Sequence, residues 1–407
     1  VYITNRRLKM IDAMRGFSLL GIILANMLIF QYGSWGAIDL KESGFSTADQ
    51  IVNELLEVLV VGSFMPIFAF LFGFGIIKMK DSLESRQLSP YPYLSRRFLL
   101  LMLIGMLHGF FIWEGDILTY YGLYGFVLLL YIRCRPRTLL IWTIAGFSLM
   151  LLFGVLSLWI STPETALTEM ERSYHLETLH VYSMGSYADI LVQRNMTTPF
   201  LDFPLAFILI FVLVGMTSLL YIPLFWLGMY MAQKDIFNDP QSKSRLYRNG
   251  MLIFLPVGLI SKSMMVIMPV LDWETFSLLF GGPILSIGYI FAFAWLYLKW
   301  QSAKWMNGFI AIGKLSLTNY LLQSIICMTI YYGYGLGLFG QLGIAWGALV
   351  AVLIYALQFV LSPLYLRKYN YGPVEKLLRM WTNWSRSGKL PAQPPVRDQA
   401  QPAVRHL

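Results

Sequence analysis

From residue 14 to residue 366 the chain is a succession of apolar runs parted by short polar stretches. Each run is close to the roughly 17 to 25 residues that carry a helix across a bilayer. They fall at 14–31, 56–77, 97–113, 118–132, 139–160, 204–231, 249–269, 276–298, 309–332 and 345–366. A hydrocarbon core offers no water to backbone N–H and C=O groups, so such a chain must satisfy them within helices. The pattern predicts an all-α polytopic membrane protein of about ten transmembrane helices. Composition agrees, because only 13% of the 407 residues are charged, against roughly 25% in soluble domains. The fourth run is short and is expected to tilt little or to be partly re-entrant. The sixth is long and contains Pro223, which predicts a tilt or a kink.

Charge orients the spans. With the N-terminus in the cytoplasm, all but Lys41, Arg172, Arg194 and Lys262 of the 31 basic residues fall on the cytoplasmic side. The opposite side gathers Asp39, Glu42, Asp49, Glu114, Asp116, Glu164, Glu169, Glu171, Glu177, Asp272 and Glu274. This asymmetry is the positive-inside rule at every loop, and it predicts that both termini are cytoplasmic. The net charge of +9 is therefore topological, and nucleic acid is excluded as a partner. The expected organisation is a transmembrane bundle over 1–369 with an extracytoplasmic segment at 161–203, a cytoplasmic interfacial helix at 370–386, and a disordered Pro/Gln-rich tail at 387–407. The basic N-terminus followed by an apolar run is expected to be a retained first span, since no small-x-small cleavage site follows it. Cys134 and Cys327 lack metal-ligand spacing and read as buried thiols. The four histidines are scattered, so no metal site is expected.

Polar side chains at membrane depth are costly and mark candidate sites. Asp12 and Arg15 share a face at the inner end of the first span, as an anchoring ion pair or as an anion contact through the guanidinium fork. Asn26 lies about 16 Å further along the same helix, as helix–helix glue or as a site residue. Arg96 and Arg97 open the third span, where basic residues also serve as topology anchors. His108 stands about 16 Å deeper on that helix, and Glu114 and Asp116 follow at its outer mouth. An imidazole oriented by a carboxylate can act as a general base; a lone histidine can equally be structural. Ser316, Asn319 and Gln323, spaced three then four apart, form one stripe on the ninth span, either glue or a polar lining. GYGLGLFG at 333–340 lacks the lysine of a phosphate loop and reads as a flexible turn.

Taken in order, IDAMRGFSLLGIILANMLIF, FAFLFGFG, RRFLLLMLIGMLHGFFIWEGDILTYYGLYG, IPLFWLGMY, GKLSLTNYLLQSIICMTIYYGYGLGLFG and NYGPVEKLLRMW resemble the bacterial YeiB-like family, domain of unknown function 418, over nearly the whole chain. Old labels call that family a transport protein. More distantly, Asp12, Arg15, Gly16 and Asn26 are similar to the opening of the transmembrane acyltransferase superfamily, which includes acyltransferase-3 and heparan glucosaminide acetyltransferase. The pair Arg96–Arg97 also resembles the acyltransferase-3 pattern. Acyltransferase-3 proteins carry histidine where this chain has Asn26, which leaves His108 as the one membrane-depth histidine to replace it.

The resemblance implies transfer of an acyl group from cytoplasmic acyl-CoA to an extracytoplasmic hydroxyl or amine. His108 would be the base, aided by Asp116 or Glu114. Arg15, Asn26, Arg96, Arg97, Ser316, Asn319 and Gln323 would hold the donor. The expected partners are membrane lipid and a small-molecule, glycan or lipid acceptor, with a homo-oligomer left open. The alternative is a small-solute transporter, proton-coupled through His108.

Overall fold

The computed structural model describes residues 8–36, 45–159, 169–197, 206–268 and 273–391. Every regular element among them is helical: α1 (Lys9–Gly36), α2 (Thr47–Leu59), α3 (Phe64–Glu84), α4 (Pro90–Leu107), α5 (Leu118–Leu128), α6 (Pro136–Ser157), α7 (Glu169–Met184), α8 (Tyr187–Met196), α9 (Ala206–Gln233), α10 (Ser244–Ile267), α11 (Trp273–Phe276), α12 (Gly282–Trp300), α13 (Met306–Lys314), α14 (Ser316–Tyr331), α15 (Ile344–Lys368) and α16 (Pro373–Thr382). Single π-helical turns extend α4 over His108–Ile112 and precede α12 over Ser277–Gly281. Proline opens α4, α6 and α16, where its missing N–H costs no helical bond.

Seven helical stretches are long and apolar enough to cross a membrane, or eight when the bent pair α13–α14 counts as one span. The chain is a multi-pass membrane protein. Of the ten predicted runs, the fourth contains only α5, eleven residues long, or about 16 Å at 1.5 Å per residue. The sixth contains α9, a 28-residue helix with Pro223 inside it.

Two elements depart from the simple pattern of runs. The second run is entered through a separate amphipathic helix, α2, which stops at Val60, and α3 then restarts at Phe64. The ninth run is broken at Leu315, where α13 and α14 meet at 87°. The break has a packing cause. Gly16 and Gly313 let the backbones of α1 and α13 touch: a methyl group on Gly16 would meet the Phe309 carbonyl, and one on Gly313 the Asp12 carbonyl. Small residues permit such close approach between membrane helices. With α13 pinned to α1, the chain must turn to follow the bundle axis.

The interior is built around α1 and α12. The spanning window of α12 is 78% buried against 17% for α10, so α12 is central and α10 faces lipid. α3 packs on α9, α10 on α12 and α4 on α5. The segment predicted at 161–203 contains α7 and α8, and α16 lies within the predicted 370–386 helix. Residues 161–168 and 198–203 and the tail beyond residue 391 lie outside the described residues.

Candidate active site

α4 and α5 form a tight hairpin whose corner carries the histidine and both acids. The π-turn at its tip closes with Trp113 N–H donating to the His108 carbonyl, 2.8 Å. The chain then runs extended and turns back into α5. Asp116 caps α5: its Oδ2 accepts from the Thr119 backbone N–H and from the Thr119 hydroxyl, each at 2.8 Å. Its Oδ1 lies 2.9 Å from His108 Nδ1. Gly105 makes this approach possible, because a methyl group there would stand 2.6 Å from Asp116 Oδ2.

This pair is sealed from solvent and lipid, with His108 at 2% and Asp116 at 7% exposure. A carboxylate accepts only, so Asp116 places the imidazole proton on Nδ1. In the neutral imidazole that tautomer leaves Nε2 as the acceptor. Nε2 is buried with no hydrogen-bond partner among the described residues, and so is Trp113 Nε1; the Tyr320 hydroxyl has a backbone contact at Ile117. Both rings belong to the histidine's surroundings, with centroids 5.5 Å (Tyr320) and 6.4 Å (Trp113) from the imidazole. Leaving a buried polar group unpaired costs about 1–3 kcal/mol. Two together, Nε2 itself and Trp113 Nε1, form the kind of grouping that marks a binding or reacting centre.

α1 and α14 complete the walls. Phe30 of α1 stacks on Trp113 at 4.1 Å, Tyr320 of α14 faces His108, and Tyr331 of α14 meets Met27 of α1 at 3.2 Å. Asn26 is buried in α1. The first, third and ninth runs thus share one interior.

Glu114 is not part of the pair. Its Oε2 lies 3.0 Å from Arg194 Nε of α8, a close ion pair. The amide stripe is also engaged elsewhere. Asn319 Nδ2 donates to Ser362 Oγ (3.1 Å), Gln323 Nε2 to Gln358 Oε1 (2.8 Å), and Gln358 Nε2 to the Asn319 carbonyl (3.0 Å). These bonds join α14 to α15. Ser316 opens α14 and is half-buried.

At the other end of the bundle, Arg15 lies 3.7 Å from Asp12. Arg97 is within electrostatic reach of Arg15 and of Arg379 from α16, with Glu375 as the opposing charge. Arg96 turns to the C-terminal segment: it donates to the Thr382 carbonyl at 3.3 Å and sits over the rings of Tyr93 and Trp384. Glu375 fills the freed N-terminus of α14, accepting from the Leu317 and Thr318 backbone N–H groups at 2.8 and 3.0 Å. It also accepts from the Thr318 hydroxyl. Eleven residues of α4 separate Arg97 from His108, about 16 Å along the axis.

Sequence reasoning missed Tyr320, Arg194, Arg379 and Glu375. Tyr320 could have been noticed as the neighbour of Asn319. The other three look like ordinary interface charges.

The fold and site define a multi-pass helical membrane protein with a buried histidine–carboxylate pair. Comparison with known proteins narrows the class. The model of the family described as "Protein of unknown function (DUF418)" matches residues 231–385. The chain is 34% identical over 400 residues to the uncharacterised protein YxaH of Bacillus subtilis (strain 168), covering 93% of this chain and 95% of that one. It is 26% identical over 395 residues to the uncharacterised protein YeiB of Escherichia coli (strain K12), covering 91% and 95%. An uncharacterised 39.9 kDa protein from the amylase 3′ region of Bacillus acidopullulyticus is 25% identical over 379 residues, covering 93% and 94%. The chain belongs to the YeiB-like family, DUF418.

Proposed function

We propose that this protein is a membrane acyltransferase whose base is His108. It would pass an acyl group from acyl-CoA on the cytoplasmic side to a hydroxyl or amine acceptor on the opposite side. The observation that carries this reading is the sealed His108–Asp116 pair, 2.9 Å apart, with Nε2 buried and unpartnered among the described residues. Asp116 would fix the tautomer, Nε2 would take the acceptor's proton as its oxygen or nitrogen bonds the thioester carbonyl, and the CoA thiolate that leaves would recover that proton from the imidazolium, which the adjacent carboxylate stabilises. Ten spans, with α5, α9 and the α13–α14 pair each counted as one, keep both termini cytoplasmic. This places the arginine end of the bundle inside and the histidine end outside.

The donor fits the arginine end. Arg15, Arg97 and Arg379 supply positive charge for its phosphates, and a guanidinium matches phosphate geometry better than an ammonium. Acyl-CoA would supply the activated acyl group. The Asn319–Gln323 stripe fits a donor lining less well, because its amides are already paired with α15. Glu114 is withdrawn from the catalytic set by Arg194.

The bend between α13 and α14 favours the second reading, a transporter, since broken helices line solute sites in many carriers. The freed N-terminus of α14 is already filled by Glu375, however, which leaves no open helix end for a solute.

Purified protein in liposomes, given radiolabelled acetyl-CoA and membrane extract as a source of acceptors, tests the proposal. Label should move into an acceptor with wild-type protein and not with His108→Ala at equal yield. Equal transfer by both proteins would refute the base, and solute uptake without any donor would support the transporter.

A further inference from the structure

The π-turn that carries His108 ends α4 with backbone carbonyls that no helical N–H can reach, as every helix C-terminus does. Within a membrane protein such groups must find partners. Here the partners come from a distant segment. Asn195 Nδ2 donates to the Phe110 carbonyl at 3.2 Å, the Tyr187 hydroxyl to the Phe111 carbonyl at 2.8 Å, and Arg194 Nη1 to the Ile112 carbonyl at 2.7 Å. All three belong to α8. Three consecutive carbonyls of the turn are therefore capped by one helix.

Arg194 does more than cap. It is 6% exposed, its Nε pairs with Glu114 at 3.0 Å, and its guanidinium lies 5.9 and 5.8 Å from the ring centroids of Tyr182 and Tyr332. Burial works against its charge, but Glu114 and the two tyrosines outweigh it and hold the guanidinium above its ordinary value. A cation here also complements the negative end of α4. Its two attachment points, Ile112 and Glu114, lie on the short connection between His108 and Asp116. That connection, with the Thr119 bonds and the space at Gly105, sets where the imidazole meets the carboxylate.

We propose that Arg194 is a positioning residue for His108: by fixing Ile112 and Glu114 it holds the turn in the one geometry that puts Nδ1 against Asp116 and leaves Nε2 as the base. This rests on the reading of His108 as the working base. It makes the α7–α8 hairpin part of the site and not merely a cover over it.

The test is nitrogen-15 NMR of histidine-labelled protein in nanodiscs. The chain has four histidines, and His108→Gln assigns the relevant signal by its loss. The wild type is expected to show His108 with its proton on Nδ1 at neutral pH. Arg194→Met should lose that signature to the Nε2–H form or to an exchange-averaged signal, and Glu114→Gln, which keeps size and the Ile112 bond, should lose it in part. A residue that only stabilised the fold would lower the unfolding temperature and leave the tautomer alone. The wild-type tautomer retained in folded Arg194→Met overturns the proposal. If that variant does not fold, an unchanged signal in Glu114→Gln overturns it instead. No acyl donor enters the measurement, so it stands apart from whether acyl transfer is found. A wild-type imidazole already protonated on Nε2 would remove the base itself, and the positioning role with it.

Discussion

At the scale of residues, the proposed chemistry rests on Asp116 using both of its oxygens. One holds His108 Nδ1 and the other holds the first turn of α5 through Thr119. The helix N-terminus complements a carboxylate, and the Thr119 bonds fix it in place. Asp116→Asn can still cap α5 through its amide oxygen, but it cannot both accept from Thr119 and accept the Nδ1 proton as before. Acyl-transfer rate is expected to fall about a hundredfold or more while the unfolding temperature stays near that of the wild type; an unchanged rate would show that the pair is structural. Gly105→Ala is the complementary case. Its methyl group would press on Asp116 and Thr119, a crowding that costs about 1–3 kcal/mol, so both stability in thermal unfolding and transfer rate should drop together. The pair was legible in the sequence because eight residues join its members across one short corner. Arg194 was not, since it reaches Ile112 across 82 residues and looks like any basic residue of an outer loop. Tyr320 was hidden as one of 24 tyrosines.

At the scale of elements, the broken span and the C-terminal helix explain each other. α13 is tied to α1 by contact at Gly16 and Gly313, α14 begins again after the turn, and Glu375 of α16 supplies the acceptors that a continuous helix would have provided. Glu375→Ala removes a cap contributed from a different helix. Loss of a helix cap costs about 0.5–2 kcal/mol, and hydrogen exchange at the Leu317 and Thr318 amides should accelerate; unaltered exchange there would mean that α14 is held by packing alone. Gln323→Leu probes the stripe. Interhelical side-chain bonds in membranes average about 0.6 kcal/mol, so a small loss of stability is expected with donor affinity unchanged, whereas Arg97→Gln should weaken donor binding. Hydropathy could not reveal the break, because apolar residues run on either side of it, FIAIG at 309–313 and IICMTIYY at 325–332. Nor could it tell the stripe's two readings apart, since spacing fixes which face a residue shares and not which helix stands opposite.

At the scale of the whole molecule, the protein presents apolar side chains outward along its peripheral helices: Leu252, Ile253 and Ile260 of α10, and Val352, Leu353 and Val360 of α15, are all exposed. In water this would be a liability, and in lipid it is the solvated surface. The class of fold was therefore plain from the length and number of the apolar runs. Their detailed boundaries were not, because an amphipathic approach helix such as α2 and a short helix such as α5 blur where a span starts. Topology can be measured directly in a background lacking Cys134 and Cys327. Met184→Cys should react with a membrane-impermeant maleimide in intact cells, and Ser242→Cys and Arg386→Cys only after permeabilisation. Labelling of Ser242→Cys in intact cells would break the ten-span arrangement.

The two ends of the bundle have meaning together only if one ligand links them. Electron cryomicroscopy of the protein with a hydrolysis-resistant acyl-CoA analogue should show its phosphates against Arg15, Arg97 and Arg379 and its acyl end beside His108 Nε2. Density confined to the surface, or an analogue that leaves His108 untouched while it binds elsewhere, would contradict the assignment of that imidazole as the base.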